Sequence, residues 1–310
     1  MQHAMLTPRQ AGLSYFFAFA FIVAMVAAAS FWSDREIVLP EIAAMAIALW
    51  VYREQSWMRH PEKIFLWPSA TALLGFGINL LAIPLALKLV LVLAGMVLFF
   101  WLCRYSLAPA LATGFLPVVT NATEPSFIAA IMLTSLLLML AVVLARLRTS
   151  AERTAPIQVR LMAVYAAIVL AGIGIAGALG HIHFAVLPPV AVVVYESLHM
   201  KMYGWRMLLK QTAVLTLSAA IGVALFLLID HWVAVAILDM ALMWLLLKLF
   251  KMRMPAVYAF PLLAYVFPQG ALPMLPAAAL ATTLFSLALV LAYHKMQKIS
   301  APQKQGLPLH

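Results

Sequence analysis

Val38-Leu39-Pro40 returns as Val186-Leu187-Pro188, 148 positions later, and the reading of this recurrence decides the fold. Leu13, Arg53 and Trp57 meet Leu161, Lys201 and Trp205 at the same offset. Further on, Thr71-Ala72-Leu73-Leu74-Gly75 lies over Ser218-Ala219-Ala220-Ile221-Gly222 at 147, with Arg104 over Lys251, and Pro109-Ala110-Leu111 lies over Pro255-Ala256-Val257 at 146. An offset that drifts by one residue at a time is what small deletions between two copies of one unit leave behind. The chain is expected to be a tandem duplication.

Of the 310 residues, 66% are hydrophobic and only 10% are charged, a balance that belongs to lipid rather than water. Leu13 to Trp32 and Phe127 to Ala145 each come close to the roughly 20 apolar residues that cross a hydrocarbon core of about 30 Å. The first is too long, and lacks the small-residue cleavage site, to read as a removed signal peptide, so it is expected to stay as a helix. Six apolar segments are expected per half: Leu13 to Trp32, Val38 to Tyr52, Ile64 to Ile83, Leu85 to Trp101, Leu107 to Val119 and Phe127 to Ala145. Leu161 to Leu179, Phe184 to Leu198, Ala213 to Ile229, Trp232 to Leu249, Pro255 to Phe267 and Pro276 to Tyr293 repeat them.

The spacing thus predicts an all-helical polytopic membrane protein with about 10 to 12 membrane segments. Its parts are an N-terminus (1–12), two membrane repeats (13–145 and 161–294), an arginine-rich linker (146–160) and a C-terminal tail (295–310). An even number of crossings returns the chain to its starting side, so the repeats are expected to be parallel, with a pseudo-twofold axis along the membrane normal.

The formal charge of +10 follows topology. With a cytoplasmic N-terminus, all the basic residues except Arg35 and Lys88 fall in inner loops, as the positive-inside rule requires. That placement points to an inner cell membrane with both termini cytoplasmic, and to contact with anionic inner-leaflet lipids. It leaves nucleic-acid binding without a role. Cys103 is the single cysteine, which excludes an intramolecular disulfide and a thiolate-rich metal centre. Asn121-Ala122-Thr123 matches a glycosylation sequon, a common three-residue coincidence. A homo-oligomer is left open by the sequence.

Two segments in each half are short and carry a proline near their start. At about 1.5 Å per residue, Leu107 to Val119 reaches only about 20 Å, and such a helix ends at membrane depth only where protein or water receives its free backbone groups. Pro40, Pro109, Pro188 and Pro255 suit a first helical turn, where a missing N–H costs nothing.

Few side chains in this background carry chemistry. Asp239 falls near the middle of Trp232 to Leu249, where an ionised acid costs about 2.5 to 3.5 kcal/mol on insertion scales. It reads either as a proton or ion relay or as a helix–helix hydrogen bond. Glu41 follows Pro40, where a carboxylate either complements the helix dipole or lines an outer vestibule. Glu196 lies near the inner end of its segment beside Tyr195 and His199, and Asn79 stands alone in an apolar run. Arg104 and Lys251 precede the prolines of short helices, where a cation and free N–H groups form an anion site, or where topology alone places them.

None of the acids, nor Asn79, is duplicated at the offsets above, so one asymmetric site between the halves is expected rather than two. No nucleophile elbow, phosphate loop or third metal ligand joins His181, His183, Asp230 or His231, and no enzyme, cofactor or metal is expected. Gly172, Gly174 and Gly177 are expected to let helices approach closely.

The order Leu187-Pro188-Pro189, a basic loop ending Trp205-Arg206, the Ser218 to Gly222 stretch and Pro255-Ala256 resembles the HPP family of integral membrane proteins. In that family a later His-Pro-Pro-Ala run closes the series, where this chain reads Arg253-Met254-Pro255-Ala256. The six-segment halves also resemble membrane domains of the fusaric-acid-resistance and aromatic-acid-exporter type. These resemblances imply transport of small, anionic solutes. The function expected is therefore a transporter or permease-like channel for a small anion. Proton-coupled export of an amphipathic compound and a non-transporting scaffold are the alternatives.

Overall fold

The computed structural model describes residues 7–147 and 158–300, and these form helices with no strand among them. The first half contains α1 (Pro8–Phe31), a 3-10 turn at Arg35–Ile37, and α2 (Pro40–Ala46) continued by a π turn at Ile47–Val51. Then follow α3 (Gln55–Met58), α4 (Pro61–Asn79), α5 (Leu85–Cys103), α6 (Ala108–Val119) and α7 (Pro125–Leu144). The second half contains α8 (Val159–Ala178), a 3-10 turn at Ile182–Phe184, α9 (Pro188–Leu198), α10 (Trp205–Leu228) and α11 (Trp232–Phe250). It ends with α12 (Ala256–Ala259), α13 (Leu263–Val266) and α14 (Leu275–Ser300). The expected linker falls largely at 148–157, outside the described residues, as does the tail from 301.

Among the described residues, seven helical stretches are long and apolar enough to cross a membrane: α1, α5, α7, α8, α10, α11 and the stretch Gln269–Gln297 that contains most of α14. Their outward faces are as apolar as their inward ones. On α5, Leu89, Val92, Leu93, Met96 and Phe100 form a buried stripe at helical spacing. Leu91, Leu98, Trp101 and Leu102 on the same helix are exposed. In water such a face would be an interaction or aggregation surface; in a bilayer it is simply solvated. With 19 residues, α4 is as long as α5, but it opens on Glu62 and Lys63 and carries Pro68 inside.

The short helices sit where no lipid reaches them. Every residue of α2 and of α6 is buried, and so is every residue of α9 except Glu196. Twelve residues at about 1.5 Å each give about 18 Å, too little to span a bilayer, so their ends need protein around them. Proline occupies the first turn of α2, α6 and α9, as its spacing predicts. The apolar run at Pro255 to Phe267 is broken instead into α12 and α13, on either side of Pro261. That proline has no N–H to donate back into a helix, and its ring clashes with the carbonyl four residues earlier.

Loop contacts sort the connections into two ends. At one, Glu36 accepts hydrogen bonds from the backbone N–H groups of Thr123 and Glu124, both at 2.9 Å, and Arg35 stacks over Trp232. At the other, Tyr105 carries Lys63 over its ring at 3.6 Å, and Gln55 donates to the Leu147 carbonyl. Arg59 also acts on Tyr105 electrostatically and Arg253 acts on Tyr52, so this second end is the basic one.

The halves are interleaved rather than set side by side. Helix α1 packs on α11 while α5 packs on α8, and α6 packs on α9 while α2 packs on α12. Of the three glycines expected to allow close approach, Gly172 meets the Ala185 carbonyl at 3.4 Å from its side-chain position, and the tightest contacts come at other glycines. Gly75 packs on Gly114 and Gly222 on Pro261, whereas Gly174 has nothing within 4 Å of a side-chain position and Gly177 only Ile182 at 3.9 Å. Helix α8 faces its neighbours through larger residues such as Tyr165 and Ile168.

Candidate functional site

The four short helical segments converge on one narrow cavity. Helical spacing decides which residues face it. From α9 come Pro188, Val192 and Glu196, spaced at four-residue intervals, together with Pro189, and from α2 come Pro40, Glu41 and Ala44. Pro109 and Ala112 of α6, Pro255, Ala256 and Ala259 around α12, and Trp57 of α3 complete most of the wall. The open space takes about one water molecule. The cavity is therefore narrow and largely apolar.

Two carboxyl groups interrupt this apolar wall, and no Lys, Arg or His lines it. Glu41, in the first turn of α2, is 3% exposed, and neither of its carboxyl oxygens has a hydrogen-bond partner. Glu196, near the C-terminal end of α9, is partly exposed, and Glu54 lies near enough to act on it electrostatically. The helix start that holds Glu41 favours a negative charge through its dipole, but the missing partners and the apolar wall oppose one.

The other residues singled out from the sequence lie elsewhere. Asn79 belongs to a polar latch at the end opposite the basic one, where its side-chain amide donates to the Ala122 carbonyl at 2.8 Å and its own carbonyl accepts from Lys88. Arg104 and Lys251 close α5 and α11 in the left-handed conformation, at φ 50° and 52°, and their side chains are exposed. They are helix caps and do not reach the cavity wall. Asp239 is fully buried midway along α11, with both oxygens unpartnered, and it too stands outside the wall. Of the six residues, only Glu41 and Glu196 are brought together.

His231 caps α11, its Nδ1 accepting from the Ala234 N–H at 3.2 Å. Among the described residues no group of three His, Cys, Asp or Glu side chains is placed to hold a metal ion.

One polar cluster gives no sequence signal of its own. Behind Glu196, the Gln211 amide donates to Ser197 Oγ at 3.1 Å, and the Tyr203 hydroxyl donates to Gln211 Oε1 at 2.8 Å. His294 Nε2 donates to the Ser197 carbonyl at 3.0 Å, and its ring stacks on Tyr203. Ser197, Gln211, Tyr203 and His294 are all buried, so the cluster pins the end of α9 to α10 and α14. Only the position of Gln211 among the apolar residues of α10 hints at it. Compared with known proteins, the chain matches no family model, no curated protein and no solved structure.

Proposed function

We propose that this protein is a membrane transporter for a small solute and that the cavity between its short helices is the working site. The observation that carries the reading is Glu41: an unpartnered carboxyl buried in the wall of the one place where α2, α6, α9 and α12 meet. Unpaired polar groups in a membrane interior are expensive, and they mark solute and ion paths where the fold retains them. Short helices enclosed at membrane depth are the second support, because transporter sites are built from helix ends of this kind.

In this reading the two halves are parallel six-segment repeats. Supporting it, Gly114 follows Gly75 by 39 residues and Pro261 follows Gly222 by 39, and each pair makes the same tight contact. The left-handed caps Arg104 and Lys251 stand 147 apart, as do the positive-φ residues Ser33 and Gly180. The basic end faces the cytoplasm of an inner cell membrane, beside anionic lipids. The likeness to HPP-type membrane proteins rests on the residues quoted above and is proposed on them alone.

An anionic solute loses ground as the substrate, since Arg104 and Lys251 stand away from the cavity and acids face it. Flux measurements in proteoliposomes, with panels of small organic anions and amines, test the transport reading. Saturable uptake that falls at least tenfold in Glu41→Gln supports it. The narrowness of the cavity favours one other reading, a non-transporting membrane scaffold, in which every tested solute stays outside and Glu41→Gln, Glu196→Gln behaves as the wild type.

A further inference from the structure

The cavity wall restricts what charge can enter. An anion needs donors, yet the first turns of α2, α6 and α9 contain proline, which has no N–H, and the wall holds no basic side chain. A metal ion needs several oxygen ligands at short range. Beyond two carboxyls the wall offers proline, alanine, valine and tryptophan, whose carbonyls serve the helices. The space itself takes about one water, too little for an organic cation.

We propose that the ion handled in the cavity is the proton and that Glu41 is the group that binds it. The proposal rests on the transport reading above and names its coupling ion. Protonation removes the charge of the more deeply buried of the two wall carboxyls: a proton from water joins a carboxylate oxygen of Glu41 to give the neutral acid. Release returns the same proton, and the carboxylate is then tolerated only while the cavity is open to water. Glu196, partly exposed near the basic end, with Glu54 close by, is the acceptor that leads the proton out.

The elements packed against α2 leave no other charge to neutralise Glu41. Helices α6 and α7 carry no titratable side chain; α9 brings Tyr195 and Glu196, α12 brings Tyr258, and α1 brings Tyr15 together with Arg9 at its exposed start. The Tyr258 hydroxyl is itself buried, beside the hydroxyls of Tyr15 and Tyr52. A tyrosine hydroxyl donates or accepts a hydrogen bond but does not supply a positive charge.

Infrared difference spectroscopy of the full chain in lipid nanodiscs, titrated from about pH 5 to about pH 10 to cover carboxyl groups shifted by burial, tests this. The expected result is a carboxylic-acid C=O band near neutral pH that shifts in heavy water and is missing from Glu41→Gln. Glu41→Asp, which keeps the acid, should retain a shifted band and stands as the check if Glu41→Gln does not fold. Loss of an ionised carboxylate band in Glu41→Gln, with no acid band lost, overturns the proposal. The measurement needs no solute. An acid band without any solute flux therefore counts against transport alone, whereas saturable flux with an ionised Glu41 counts against the proton alone.

Discussion

Gly75 lies so close to Gly114 that a methyl group added to it would overlap the Gly114 carbonyl oxygen and crowd the ring of Pro117. Backbone, unlike the end of a flexible side chain, cannot step aside cheaply. Gly75→Ala is expected to lower stability by about 1–3 kcal/mol or more, the range for overpacking a close-packed interior. Gly222→Ala should behave alike, since its added carbon would overlap Pro261. Gly174→Ala, with open space at that position, should be neutral or gain about 0.5–1 kcal/mol from helix propensity. Thermal unfolding in detergent separates the three, and equal losses at Gly75 and Gly174 would remove the packing explanation.

Glu36 ties the loop after α1 to the start of α7 through its two bonds to Thr123 and Glu124. Burial pushes its carboxyl above the usual 4.5, outweighing the two N–H donors that favour the charged form. The folded state therefore holds this proton more tightly than the unfolded chain. That contribution to stability is complete below about pH 4.5 and is lost as pH rises through the folded value. Glu36→Gln should remove this part of the acid-side slope in the melting temperature. An unchanged slope between wild type and variant would show that Glu36 does not cause it.

The helices were legible because lipid imposes a length and a polarity that few other structures satisfy. The short segments were legible because proline marks a helix start and twelve or so residues cannot span a bilayer. The pairing of Glu41 with Glu196 was not, since they stand in different halves and only the interleaving of α2, α6, α9 and α12 places them in one wall. Asp239, in mid-segment, and Asn79, alone in an apolar run, stood as candidates beside Glu41 at its helix start. Which face of a helix meets a cavity, a latch or a neighbouring helix is set by packing, which a run of leucine and alanine does not encode.

The buried cluster behind Glu196 has no spare partners. Gln211→Ala leaves the Tyr203 hydroxyl without its acceptor and Ser197 Oγ without its donor, at about 1–3 kcal/mol for each group left unsatisfied. Tyr203→Phe removes one donor and should cost about 1 kcal/mol. Hydrogen exchange at the end of α9 should rise in both variants, more in the first. If Gln211→Ala melts like the wild type and α9 exchanges no faster, the cluster does not hold that helix end.

Asp239 offers the sharpest contrast with Glu41, because both are buried acids without partners and only one faces the cavity. Its place midway along α11, packed towards α1 and α10, gives an ionised form nothing to pair with. A valine there removes an unsatisfied polar group and stays much nearer the volume of aspartate than a larger apolar side chain would, a change that is close to neutral in comparable buried sites. Asp239→Val is therefore expected to melt close to the wild-type temperature and to leave solute flux within about twofold, a change worth only about 0.4 kcal/mol. Flux lost in a variant that melts normally would put Asp239 on the transport path and require a second polar site in the wall between α1 and α11.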